Sequence, residues 1–120
     1  MARKTVHRIA FVTDLDHDSK DTSESKTFWK SFYREATLTR DAETGRYAVT
    51  FDGPERQRVL RTRLNLDGRG MELSWLARFG DALLAGDDRA GVVFDVRGGK
   101  AAARFVLADG DGTAEKGFKR

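Results

Sequence analysis

The chain has 120 residues, with 22 Lys and Arg against 19 Asp and Glu, a formal net charge of +3, 39% hydrophobic residues and no cysteine. Such a length suits a single domain with a sizeable core, since domains cluster near ~100–150 residues. The composition excludes disulfides and zinc thiolate clusters. No apolar run approaches the ~20 residues of a membrane-crossing helix, so a soluble cytoplasmic protein with no membrane partner is expected.

In chain order, Thr5 to Thr13 sets His7, Ile9 and Phe11 on one parity and Ala10 and Val12 on the other, which predicts a strand. The stretch DLDHDSKDTSES that follows is polar and predicts a loop. Asp21 and Glu24 then stand at capping-box spacing ahead of Phe28, Trp29, Phe32, Tyr33 and Ala36, which share one helical arc. This predicts a short aromatic helix over Thr22 to Arg34. The rival is one long strand in which Phe28, Phe32, Ala36 and Leu38 share a face.

Three strands are expected next. Ala36 to Arg40 and Tyr47 to Phe51 form a hairpin through a turn at Asp41 to Gly45, with Gly45 free to take positive φ. After a turn at Asp52-Gly53-Pro54-Glu55, Leu60, Thr62, Leu64 and Leu66 alternate with Val59, Arg61, Arg63 and Asn65, although Asp52 and Glu55 also suit a helix cap. The inner face of this meander would be Leu38, Tyr47, Val49, Phe51, Leu60, Leu64 and Leu66. Its outer face would be Thr37, Thr39, Ala48, Thr50, Arg61 and Arg63.

Met71 to Ala85, closed by Gly86, then reads as the principal helix, with Trp75 and Phe79 widening its apolar arc beyond the ~100° needed to cover one sheet. A last hairpin joins Val92–Val96 to Ala101–Leu107 through Arg97-Gly98-Gly99-Lys100. The expected fold is α+β: an antiparallel sheet of five to six strands, one principal helix packed on a face and a second, shorter aromatic helix. The domain would cover 1–108 and a flexible polar tail 109–120. At fold level alone, three strands followed by a helix is similar to sheet-and-helix single-strand DNA binders of the transcriptional-coactivator type.

The segment Ile9 to Ser19, IAFVTDLDHDS, resembles the first motif of the haloacid dehalogenase-like phosphatases, in which a strand ends in Asp-x-Asp. The resemblance implies Asp14 as nucleophile, Asp16 as general acid, magnesium alongside, and Gly86-Asp87-Asp88 as the late acidic motif. It covers under a dozen residues. His17-Asp18 replaces the small Gly-Thr pair, and the chain leaves no room for the parallel α/β core between the motifs. Asp14, Asp16, Asp18, Asp21 and Glu24 also offer oxygen ligands for a divalent ion, but no Gly follows Asp18 and Ser25 stands where an EF-hand needs Glu. A solvated loop is the preferred reading, with no metal and no cofactor. His7 and His17 suggest neither a triad nor a zinc site.

The arginines carry the functional expectation. Arg46, Arg56, Arg58, Arg61, Arg63 and Arg69 lie on or beside the meander, and an Arg/Thr-rich sheet face can grip phosphates through guanidinium forks and hydroxyls. Trp29, Tyr33 and Trp75 are the candidates for base stacking. The sequence reading is therefore a small non-enzymatic nucleic-acid-binding module, favouring single strands over duplex, with no catalytic residues. It would act as a homodimer through Trp75 and Phe79. The alternative is a protein-binding accessory or inhibitor module, including phage-type proteins that bind a host enzyme.

Overall fold

The computed structural model describes residues 3–108 and 110–113. Among them are nine strands and only two short 3-10 turns, at Asp16–Ser19 and Pro54–Arg56. The strands are β1 (Lys4–Val12), β2 (Lys20–Asp21), β3 (Phe28–Asp41), β4 (Tyr47–Phe51), β5 (Arg58–Thr62), β6 (Leu73–Phe79), β7 (Ala82–Asp87), β8 (Val92–Arg97) and β9 (Lys100–Val106). The fold is two antiparallel sheets, and both expected helices are absent.

The first sheet is organised around β3, whose 14 residues serve two sets of partners. Its second half pairs with β1 (His7 opposite Leu38) and with β4 (Leu38 opposite Val49), forming an elongated arm. Its first half pairs with β2 and with β5, where Ser31 faces Leu60. The switch from β4 to β5 occurs at Asp52 to Arg56, where Pro54 supplies no backbone donor and opens the 3-10 turn. The aromatic helix fails because Phe28, Trp29, Phe32 and Tyr33 are strong β formers that pair in register with β1, β2 and β5.

β6 to β9 form a four-stranded meander. What reads as the principal helix is the β6–β7 hairpin, with Phe79 opposite Ala82 across the two-residue loop Gly80-Asp81. Gly80 takes φ +62, as such a loop requires. A glycine there would cost an interior helix about 1 kcal/mol, and pairing with buried β8 outweighs the helix propensity of Leu and Ala.

The core lies where the sheets meet. Trp29 and Leu60 from the first pack with Met71, Leu73, Ala85, Ala90, Val92, Phe94 and Val96 around the second. Leu60 is buried, while Tyr47, Val49 and Phe51 are exposed, so the expected inner face is divided between opposite faces. Register is the reason: Leu60 pairs with Ser31 and Arg61 with Lys30, which turns Arg61 to the Phe28 and Phe32 side and away from Thr37, Thr39 and Thr50. The phosphate-gripping face does not exist as one surface. Of the expected tail, only 110–113 fall within the described residues.

Candidate functional site

Three segments distant in sequence converge at one end of the second sheet. The first follows β1, where the Asp14 carboxylate accepts the backbone N–H of Asp16 at 2.9 Å. Asp16 takes φ +52 and opens the first 3-10 turn. The buried Ser19 hydroxyl at the end of that turn donates to the Gly70 carbonyl at 2.7 Å, tying it to the loop before β6.

The second segment is Arg69 to Glu72. Glu72 is 2% exposed, and a buried carboxylate needs compensation. Arg69 supplies it through a fork, with Nε donating to Oε2 at 2.9 Å and Nη2 to Oε1. The same Nη2 also bonds Asp16. These contacts raise the Arg69 guanidinium pKa further, the hydrogen bond to Glu72 being the largest cause. Arg89 Nε lies 3.8 Å from Glu72 Oε1, with half of its side chain exposed.

The third segment is the turn from β7 to β8. Asp87 is buried and acts as a backbone clamp, accepting the N–H groups of Met71 at 2.7 Å, Arg89 at 2.8 Å and Ala90 at 3.3 Å. Asp88 N donates in turn to the Glu72 carbonyl at 3.2 Å. One carboxylate oxygen each from Asp14, Glu72 and Asp88 lies within 4.8 Å of the others. Partial desolvation, then the Asp14 and Asp87 carboxylates, push the Asp88 carboxyl above its ordinary value.

Five carboxylates (Asp14, Asp16, Glu72, Asp87 and Asp88) thus meet two guanidiniums, leaving excess negative charge. A donor set of carboxylate oxygens with neither sulfur nor imidazole is what a hard divalent cation such as calcium takes. The residues fit such an ion. Asp18 and Glu24 are not among the three, and Glu24 is instead paired with Arg61 at 3.0 Å.

The arginines of the sequence reading are scattered. Arg69 belongs to the carboxylate corner, and Arg46 is exposed at the β3–β4 turn. Arg61 and Arg63 lie over the Phe28 ring at 5.3 and 6.0 Å. Arg56 and Arg58 share a cleft near the far end of the second sheet. Trp29 is buried, its indole donating to the Gly68 carbonyl at 3.0 Å, while Trp75 and Phe79 lie exposed on β6. Glu72 and Arg89 were missed, and Asp88 was named only as part of the late acidic motif. The one trace of the corner in the sequence is that acid pair after Gly86, which the resemblance sets with Asp14.

Comparison with known proteins gives this corner its context. The apyrase family model matches residues 15–120. The chain is 42% identical over 113 residues to soluble calcium-activated nucleotidase 1 of Mus musculus, covering 94% of this chain and 27% of that protein. It is 38% identical over 116 residues to the apyrase of Cimex lectularius (97% and 31%), and 37% identical over 113 residues to apyrase apy-1 of Caenorhabditis elegans (94% and 30%). The chain belongs to the apyrase family. It spans less than a third of the length of these curated relatives.

That membership overturns the expectation of a non-enzymatic nucleic-acid-binding module with nucleic acid as partner. The relatives bear the names of nucleotidase and apyrase, and the dispersal of the arginines removes the physical basis of that expectation.

Proposed function

We propose that the chain contributes the calcium-holding corner of a nucleotide-hydrolysing enzyme, with Asp14, Glu72 and Asp88 as the ligands. The observation that carries this reading is the approach of three carboxylates from three separate segments to within 4.8 Å. Proteins named calcium-activated nucleotidase and apyrase align across nearly the whole chain, which supports calcium as the ion and nucleoside phosphates as the substrate. Arg69 holds the Glu72 carboxylate in one orientation, and Asp87 fixes the backbone of both segments that bring Glu72 and Asp88 together. Arg89, half exposed beside Glu72, is placed to meet a phosphate oxygen arriving at the corner. Calcium bound there would offset negative charge on the phosphate chain.

Calorimetric titration of calcium tests the reading. Binding is expected, and Glu72→Gln combined with Asp88→Asn is expected to weaken it about tenfold or more. Equal affinity in the double variant removes the corner as the calcium site. Phosphate release from ADP and ATP, assayed with calcium present and with it chelated, tests the reaction. Equal release in both conditions overturns calcium dependence.

A further inference from the structure

The far end of the second sheet holds a cleft of about 550 Å³, lined by Tyr33, Glu35, Arg56, Arg58 and the Gly98-Gly99 turn between β8 and β9. It is remote from the carboxylate corner. β7 ends at Asp87 in that corner, and β8 runs back from Val92 to Arg97, so roughly 20 Å of strand separates the two.

Arg58 opens β5 directly opposite Tyr33 on β3. Its aliphatic stem crosses the glycine turn so closely that a Cβ on Gly99 would stand 3.0 Å from Arg58 Cδ, and Gly99 itself takes φ +74. The guanidinium is steadied by backbone carbonyls, Nη1 donating to Glu55 O at 3.1 Å and to Gln57 O at 3.3 Å. Carbonyls orient a guanidinium without neutralising it. Among the described residues no carboxylate lies within 4 Å of Arg58. Arg56 has only a 3.9 Å approach to Asp52, whose carboxylate is already held by the Arg8 fork at 2.7 and 2.9 Å. Arg58, with no carboxylate partner among the described residues, and Arg56, with only that long approach, therefore share one cleft with Tyr33 and Glu35.

We infer that this cleft is a second anion site, which takes a phosphate dianion on Arg56 and Arg58. A volume near 550 Å³ falls in the ~300–1,000 Å³ range of small-molecule sites and accommodates a phosphate that carries a sugar. Glu35, about half exposed on the same wall, opposes a bare anion but accepts hydroxyl donors, and so favours a sugar phosphate over the free ion. The site does not depend on the nucleotidase reading.

The test is calorimetric titration of the chain, in chelator, with inorganic phosphate and separately with ribose 5-phosphate. Binding of either supports the site, and the tighter of the two identifies the source of the phosphate. Arg56→Ala with Arg58→Ala should weaken binding about tenfold or more, the loss expected of charge-assisted hydrogen bonds. Arg61→Ala, outside both sites, should leave it unchanged. Glu35→Gln should tighten binding of inorganic phosphate, a change that a purely structural role would not produce. Thermal melting checks that the arginine variants fold, and Arg56→Lys with Arg58→Lys, which keeps charge but loses the fork, should fall between wild type and the alanine pair. Absence of binding, or binding that survives the arginine changes at full strength, overturns the inference.

Discussion

β4 and β8 are short strands of similar apolar content, YAVTF and VVFDVR, yet every residue of β4 is exposed and the first five of β8 are buried. Position accounts for the difference. β8 is central in its sheet, with Phe94 and Val96 on the face that meets Leu60 and Trp29. β4 flanks the arm of the first sheet, where all five of its residues stay exposed, and it is held by its ladder and by local pairs. Phe51 lies 5.3 Å from Phe11 and 4.9 Å from the Arg34 guanidinium, and Arg40 covers Tyr47 at 5.8 Å. The second sheet is thus a packed platform that fixes the carboxylate corner. The arm is a ladder with side-chain clasps.

The largest expected effect breaks the platform. Phe94→Ala empties a site 1% exposed and should cost about 3–5 kcal/mol, seen as a fall in the midpoint of chemical denaturation. Phe51→Ala in the arm removes a ring 47% exposed and should cost about 1 kcal/mol. Equal losses would mean that the arm is as tightly packed as the core.

Next comes Asp87→Ala, which leaves the buried N–H of Met71 and those of Arg89 and Ala90 without their acceptor. A loss of about 2–4 kcal/mol is expected from a buried, charge-assisted cluster of this kind. Calcium affinity should fall with it, because the clamp positions both Glu72 and Asp88. Unchanged calcium binding in a destabilised variant would separate the clamp from the site.

These contrasts explain what was legible in the sequence. Turn chemistry was: Gly45 and the Gly98-Gly99 pair mark hairpins that the structure contains. Period was not, because Leu73, Leu76, Leu83 and Leu84 satisfy a helical arc as well as two strands, and the deciding signal was Gly80-Asp81 at the centre of that arc. The face of β5 was misjudged because the alternation of Leu60 with Arg61 fixes which residues share a side but not which side meets the core. The strand β3 changes partners midway, and no local pattern encodes that register. The carboxylate corner was hidden for the same reason: Asp14, Glu72 and Asp88 are 58 and 16 residues apart along the chain. Glu72 lies just before β6 and is buried only because Arg69 and the turn from β7 to β8 close over it.

A smaller effect sharpens the contrast through pH. The arm carries carboxylates held below their ordinary value: Asp52, chiefly by its hydrogen bond with Arg8, and Asp41, by the backbone N–H groups of Thr44 and Glu43. A carboxyl depressed in the folded state contributes stability that is present above its unfolded value near ~4 and is lost as pH falls through the folded value. Acid should therefore loosen the arm before the platform, with amide exchange in β4 accelerating below about pH 4 while β8 remains protected. Asp52→Asn should flatten that dependence, and an unchanged dependence would show that the Arg8 pair does not hold the arm.

The smallest effect is expected at Arg61, despite its place in the sequence reading. Its guanidinium reaches Glu24 at 3.0 Å and lies over Phe28, but both side chains of the ion pair are about half exposed. Exposed pairs contribute about 0–1 kcal/mol because solvent screens the attraction and two long side chains lose freedom to form it. Arg61→Ala should thus move the denaturation midpoint little and leave both calcium and phosphate binding unchanged. A large loss of stability would show that the Phe28 end of β3 belongs to the platform, since only a ring anchored in the core would carry the energy of the cation resting on it.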